Sequence, residues 1–159
     1  GGGWAWYRYV AEDRVVGETL AHSLDALDRF MVELPEKLPV PPGKVFLGGF
    51  SQGGTMSLAW ALRQAARGEE PPPVLNLSGF LVDDPLAPRE VADRLHVFWG
   101  HGLQDPAIPH ILGRKGRKEL EERGAHLVAV DHGGGHWVDP DELAAAARWM
   151  EERMGSSGV

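Results

Sequence analysis

The stretch Lys44-Val45-Phe46-Leu47-Gly48-Gly49-Phe50-Ser51-Gln52-Gly53-Gly54-Thr55-Met56-Ser57-Leu58 decides the fold. Its first four residues form an apolar β-type segment, and Thr55 to Leu62 is an apolar run of helical character. Between them lies G-x-S-x-G, with Gly49 and Gly53 two positions either side of Ser51. A serine in so tight a strand-to-helix turn has a strained backbone, and small residues at those two positions leave room for it. Its hydroxyl stands at the carboxyl end of a strand, and the next N–H begins a helix, so a nucleophile can meet a developing oxyanion there. The plainer alternative is a glycine-rich turn whose serine only caps the helix. The motif alone leaves both open.

Upstream, Leu20, Leu24, Leu27, Met31 and Leu34 make one stripe of a helix, which Pro35 is expected to close. Pro39, Pro41 and Pro42 keep the following link non-helical. The aromatic run Trp4 to Val10 reads as a strand, the wall of an apolar pocket, or plain core. Downstream of Ser51 the helix runs to about Arg67, with Gly68 as its C-cap. Three more buried strands are expected over Val74 to Ser78, Leu95 to Trp99 and His126 to Val130. A polar helix fills about Leu112 to Arg123. Asp139-Pro140-Asp141-Glu142 carries N-cap, N1 proline and N3 glutamate chemistry for a last helix, with Leu143, Ala146, Ala147 and Met150 inward. The tail 154–159 reads as frayed. Short apolar strands alternating with helices predict an α/β domain over 1–159, a mostly parallel sheet with helices on both faces.

With 159 residues, 43% of them apolar, the chain has material for one sizeable core. A formal charge of -7, with no basic stripe, argues against a nucleic-acid partner. Without cysteine there is no disulfide and no thiolate metal site. No apolar run reaches membrane-spanning length, and Gly1-Gly2-Gly3-Trp4 shows no leader pattern. A cytoplasmic location is the expectation.

Parallel sheets carry their sites at the carboxyl ends of strands. After the first of the four strands comes Ser51, after the third His101-Gly102-Leu103-Gln104-Asp105, after the fourth Asp131 to His136. A serine hydroxyl needs an imidazole base, and the imidazole needs an orienting carboxylate. Serine, acid and histidine stand here in α/β-hydrolase order. Asp83 and Asp84 compete with Asp105 for the acid, and His132 competes with His136 for the base. His132-x-x-x-His136 also has metal-ligand spacing, but the three glycines between them oppose the helix that would align the pair. Gly48 to Thr55 misses a phosphate-binding loop because Gly54 stands where its lysine belongs.

Gly-Phe-Ser-Gln-Gly-Gly, then His-Gly-Leu-Gln-Asp-Pro-Ala-Ile-Pro, then Gly-Gly-His before a final helix resembles the phospholipase/carboxylesterase family, which includes acyl-protein thioesterases. The likeness runs from about Trp4 to Met150. It implies an α/β-hydrolase fold and hydrolysis of small-molecule esters or thioesters, short- to medium-chain acyl esters or lysophospholipids among them, without metal or organic cofactor. It also implies Ser51 as nucleophile, Asp105 as acid, His136 as base and the Gln52 backbone N–H as an oxyanion donor. Trp4, Trp6, Phe80 and Trp137 are candidates for an apolar acyl site, with ordinary core as the alternative for Trp6 and Phe80.

The chain departs from that pattern before Ser51. The family's earlier strands, and the His-Gly loop that gives a second oxyanion N–H, have no counterpart, so the chain reads as an amino-terminally shortened member. The strand before Ser51 would then have an open apolar side. Either the natural protein is longer, or the domain is a shortened one, or a second chain covers the edge as a homo-oligomer. A non-catalytic hydrolase-like binding module is the rival to an enzyme.

Overall fold

The computed structural model describes residues 2–39 and 45–155. Pro41, Pro42, Lys44 and the tail from 156 onward lie outside the described residues. Four strands form one parallel sheet: β3 (Leu47–Phe50), β4 (Val74–Leu77), β5 (His96–Gly102) and β6 (His126–His132), in the order β3-β4-β5-β6. Before them, β1 (Tyr9–Ala11) and β2 (Arg14–Val15) pair as an antiparallel hairpin. The helices are α1 (Gly17–Lys37), α2 (Gln52–Ala66), α3 (His110–Glu122) and α4 (Pro140–Gly155).

The strands show why the sheet must be covered twice. Side chains alternate between its faces. Val74, Val97 and Trp99 enter a core with Leu20 and Leu24 of α1, Met56, Leu58 and Leu62 of α2, and Leu120 of α3. Leu75 and Phe98 point the other way, against Ala146 and Trp149 of α4. Fully burying one side chain such as Phe98 contributes about 1.5–3 kcal/mol, so both faces weigh in the stability of the sheet. The expected α/β architecture is present, and all four parallel strands lie in sequence order.

Several boundaries differ from the sequence expectation. α1 does not stop at Pro35, which lies inside it. The missing proline N–H costs only one bond in the final turn, and Leu38 N–H still reaches the Leu34 carbonyl at 2.8 Å. The strand before Ser51 is assigned to Leu47–Phe50, three residues later than expected, because its ladder with β4 pairs Leu47 with Val74 and Phe50 with Leu77. β5 continues through Gly100 to Gly102, where Gly102 still pairs with His132. α4 buries Glu142, Ala146 and Trp149, whereas Leu143 is turned out to solvent. Its inward stripe is thus rotated by one residue, and a carboxylate leads it. Met154 and Gly155, expected to fray, still belong to α4.

Only Tyr9 and Val10 of the first aromatic run are in a strand; Tyr7 is buried and Trp4 fully exposed. α1 is tied to α2 through Asp28, which accepts from Trp60 Nε1 at 2.7 Å and Gln64 Nε2 at 2.9 Å and pairs with Arg67 at 2.9 Å. The hairpin is tied to the body by the ion pair of Asp13 with Lys115 and by Asp83 N–H to the Asp13 carbonyl at 2.7 Å.

Among the described residues β3 is an edge strand, paired only with β4. Leu47 N–H and Ser51 N–H reach the carbonyls of Pro73 and Leu77, at 3.0 and 2.8 Å. By the two-residue period, the backbone groups of Gly48 and Phe50 face the open side.

Candidate active site

Ser51 sits between β3 and α2 at φ 55° and ψ -117°. That backbone is unfavourable for a residue with a Cβ and is held by its surroundings. Gly49 packs on the backbone of Gly53, and Gly79, in the loop after β4, packs on the Ser51 carbonyl. A Cβ on Gly53 itself would meet nothing within 4 Å. The expectation that both motif glycines are needed for space is therefore corrected. Gly54 is the second crowded position, since a Cβ there would run into the Asn76 amide oxygen.

The turn places Ser51 Oγ 3.0 Å from His136 Nε2, and His136 Nδ1 lies 2.7 Å from Asp105 Oδ2. These three groups follow the carboxyl ends of β3, β6 and β5, three of the four strands in the order β3-β4-β5-β6. Asp105 is nearly fully buried, and its Oδ1 accepts two backbone N–H groups, from Ala107 at 2.9 Å and Ile108 at 2.8 Å. Burial pushes its carboxyl up, but the hydrogen bonds from His136, Ile108 and Ala107 outweigh it and hold the group below the ordinary carboxylate range. The Phe50 ring lies 4.6 Å from the His136 ring, on its flank. A neutral imidazole whose Nδ1–H is donated to a carboxylate presents a bare Nε2 to a hydroxyl, so the arrangement can take the proton of Ser51.

The rival residues point elsewhere. Asp83 pairs with Arg89 at 3.2 Å, and Asp84 Oδ1 accepts from Leu86 N–H at 2.9 Å. His132 is buried; its Nδ1 accepts from Gly134 N–H at 3.2 Å and its Nε2 faces Glu142. His132 and His136 therefore do not converge, and among the described residues no group of three or more His, Cys, Asp or Glu side chains is placed to hold a metal ion.

His101 was legible only as a strand-end residue. It is fully buried, and its Nε2 donates to the Ile108 carbonyl at 2.8 Å, in the loop that holds Asp105. Burial lowers its imidazole below the usual range, which suits the neutral donor.

The four aromatic candidates divide. Phe80 belongs to the core, nearly fully buried and edge-on to Tyr7 and Tyr9 at 6.2 and 6.1 Å, which corrects its assignment to an acyl site. Trp6 is half exposed and is held beside the turn: its N–H donates to Gln52 Oε1 at 2.8 Å, and its carbonyl accepts from Ser23 Oγ. Gln52 Nε2 also donates to the Tyr7 carbonyl at 3.3 Å. Trp137 is exposed and lies against Gly135 of the His136 loop. Trp4 is exposed without such an anchor. The Gln52 backbone N–H opens α2, where the first N–H groups have no acceptor within the helix. A cavity of about 950 Å³ lies elsewhere, lined by Met31, Phe46, Trp60, Pro72 and His96.

The sequence model of the phospholipase/carboxylesterase family matches residues 1–153. The chain belongs to that family. Acyl-protein thioesterase 1 of Candida albicans is 29% identical over 142 residues, 81% of this chain and 58% of that one. Acyl-protein thioesterase 1 of Neurospora crassa is 30% identical over 121 residues, 72% of this chain and 48% of its own length. The chain thus spans about half the length of these curated relatives. Among solved structures, esterase PE8 superposes with a TM-score of 0.75 at 25% identity, covering 94% of this chain and 70% of that one. The Bacillus cereus carboxylesterase gives 0.76 at 17% identity, covering 94% and 68%. The sheet and helices are those of the α/β-hydrolase fold, in a chain shorter than its family relatives. No helix among the described residues is long and apolar enough to cross a membrane.

Proposed function

We propose that the protein is a serine hydrolase that cleaves small-molecule carboxylic esters or thioesters through an acyl-enzyme. The observation that carries this is the chain of contacts from Ser51 Oγ to His136 Nε2 at 3.0 Å and from His136 Nδ1 to Asp105 Oδ2 at 2.7 Å. Family membership and the thioesterase and carboxylesterase relatives support the same reaction class.

The substrate carbonyl sits over Ser51. His136 accepts the hydroxyl proton as Oγ attacks, and Asp105 stabilises the imidazolium and fixes its tautomer. The Gln52 N–H, at the positive end of α2, receives the oxyanion. His136 then hands its proton to the leaving alcohol or thiol. Water, activated by the same imidazole, releases the acid and restores Ser51. Trp6, Trp137, Phe50 and Leu103 are exposed apolar side chains on the elements that carry the three groups or are tied to them, and they suit short- to medium-chain acyl groups, lysophospholipid chains included.

The rival, a hydrolase-like binding module, is favoured by the open side of β3. A fluorophosphonate probe and p-nitrophenyl butyrate separate the two. The enzyme labels at Ser51 and turns over the ester, and Ser51→Ala does neither. A folded protein that neither labels nor hydrolyses sinks the proposal.

A further inference from the structure

His136 stands in a loop that begins with three glycines, Gly133, Gly134 and Gly135. Such a loop has little stiffness of its own, yet it must hold an imidazole within hydrogen-bond reach of Ser51. Part of the hold is visible. Gln104 N–H reaches the Gly134 carbonyl at 2.9 Å, Leu103 N–H reaches the His132 carbonyl at 2.8 Å, and Trp137 covers Gly134 and Gly135.

The two ends of the loop meet at one side chain. Glu142, on the first turn of α4, is almost fully buried. Its Oε2 accepts from the Asp139 N–H at 3.0 Å, at the end where the loop enters α4. The same oxygen lies 3.4 Å from His132 Nε2, at the end where the loop leaves β6, an ion-pair distance rather than a well-aligned hydrogen bond. His132 Nδ1 accepts a hydrogen bond from Gly134 N–H, so a neutral ring carries its own proton on Nε2, the side of the carboxylate. Gly100 of β5 makes space for the group: any Cβ there would collide with Glu142 Oε1. None of these groups touches the reacting atoms.

We propose that Glu142 is a positioning residue, which clasps His132 to Asp139 and thereby sets the place of His136 against Ser51. This rests on the role given to His136 above. A glutamate three residues after a helix cap ordinarily serves the helix alone; here its carboxyl also closes the loop that carries the base.

The test compares Glu142→Ala with Glu142→Gln, which keeps an oxygen acceptor of the same size. In a folded E142A, kcat for p-nitrophenyl butyrate falls about 10²-fold, the order that a misplacement of about 1 Å costs, while KM holds. The low-field proton resonance of the His136 Nδ1–H, identified by its loss in Asp105→Ala, weakens in E142A, and E142Q restores both it and the rate. A folded E142A with wild-type kcat and resonance overturns the proposal. If E142A fails to fold, His132→Asn decides: weakening of the resonance supports the clasp, and a wild-type resonance overturns it. The resonance needs no turnover, so a protein without esterase activity would remove the function proposed for Ser51 and still show whether Glu142 places His136.

Discussion

A Cβ added to Gly49 would stand 2.5 Å from the carbonyl carbon of Gly53, whereas one added to Gly53 would stand in open space. The two glycines of one motif are thus under different constraints. Gly49→Ala must push the first turn of α2 away from β3 and is expected to lose fluorophosphonate labelling and to melt lower. Gly53→Ala is expected to fold with labelling intact, and to gain up to about 0.5–1 kcal/mol from the better helix former. Gly54→Ala should resemble Gly49→Ala, because its Cβ would lie 2.9 Å from the Gly49 carbonyl oxygen. Urea melts and labelling of the three variants check the order.

Asp105→Asn is expected to keep the fold and lower kcat by about 10⁴-fold, the order reached when the amide selects the wrong imidazole tautomer. Its carboxamide can donate to His136 Nδ1, which leaves the proton on Nε2 facing Ser51. Steady-state kinetics check this, and a loss confined to KM would contradict it.

Two buried carboxyls give opposite pH dependences. The Asp105 carboxyl is held below the ordinary range in the folded protein, so its contribution is present above the unfolded value of about 3.9 and is lost as pH falls through the folded one. Burial pushes the Glu142 carboxyl up, against the lowering by the Asp139 N–H and His132. The folded protein therefore binds that proton more tightly than the unfolded chain, and stability declines as pH rises from about 4.3 through the folded value. Glu142→Gln should accordingly gain in melting temperature over wild type at neutral pH relative to acid pH. Asp105→Asn should lose at neutral pH and converge on wild type in acid. Thermal melts from about pH 3 to about pH 8 read both signs.

Asp28→Ala removes the acceptor for Trp60 Nε1 and Gln64 Nε2 and the partner of Arg67. Leaving the indole N–H of the buried Trp60 unpaired costs about 1–3 kcal/mol. The denaturation midpoint should fall, with the Ser51 labelling rate unchanged in the folded protein, because Asp28 holds Trp60, Gln64 and Arg67 at the carboxyl-terminal part of α2 and not its first turn.

Much of this was legible from the residues. Ser51, Asp105 and His136 each follow an apolar strand, and parallel strands bring their carboxyl ends together. What escaped depends on phase and distance. Nothing in the sequence distinguishes Gly53 from Gly49, since the difference is which side of the backbone faces a neighbour. Phe80 looks like any aromatic near a strand end until Tyr7 and Tyr9 are seen to cover it. The cap pattern Asp139 to Glu142 was readable, but the burial of Glu142 under Gly100 was not, because it rests on a crossing between α4 and β5. Pro35 misled because a proline this close to a helix end forfeits only its own bond back to the preceding turn, while Leu38 N–H still reaches the Leu34 carbonyl.

The one-sided ladder of β3 has a kinetic consequence. Among the described residues the strand before Ser51 pairs with β4 alone, by amides such as the Ser51 N–H on the Leu77 carbonyl, while β5 is clamped by a strand on each side. Opening that single seam needs far less than global unfolding. The Ser51 turn would therefore be the first thing lost under mild denaturant, while the β5–β6 half still holds its amides against deuterium. Amide exchange at Gly49 and Ser51 faster than at Phe98 and Trp99 would mark this weak seam, and any occupant of the open side would close it.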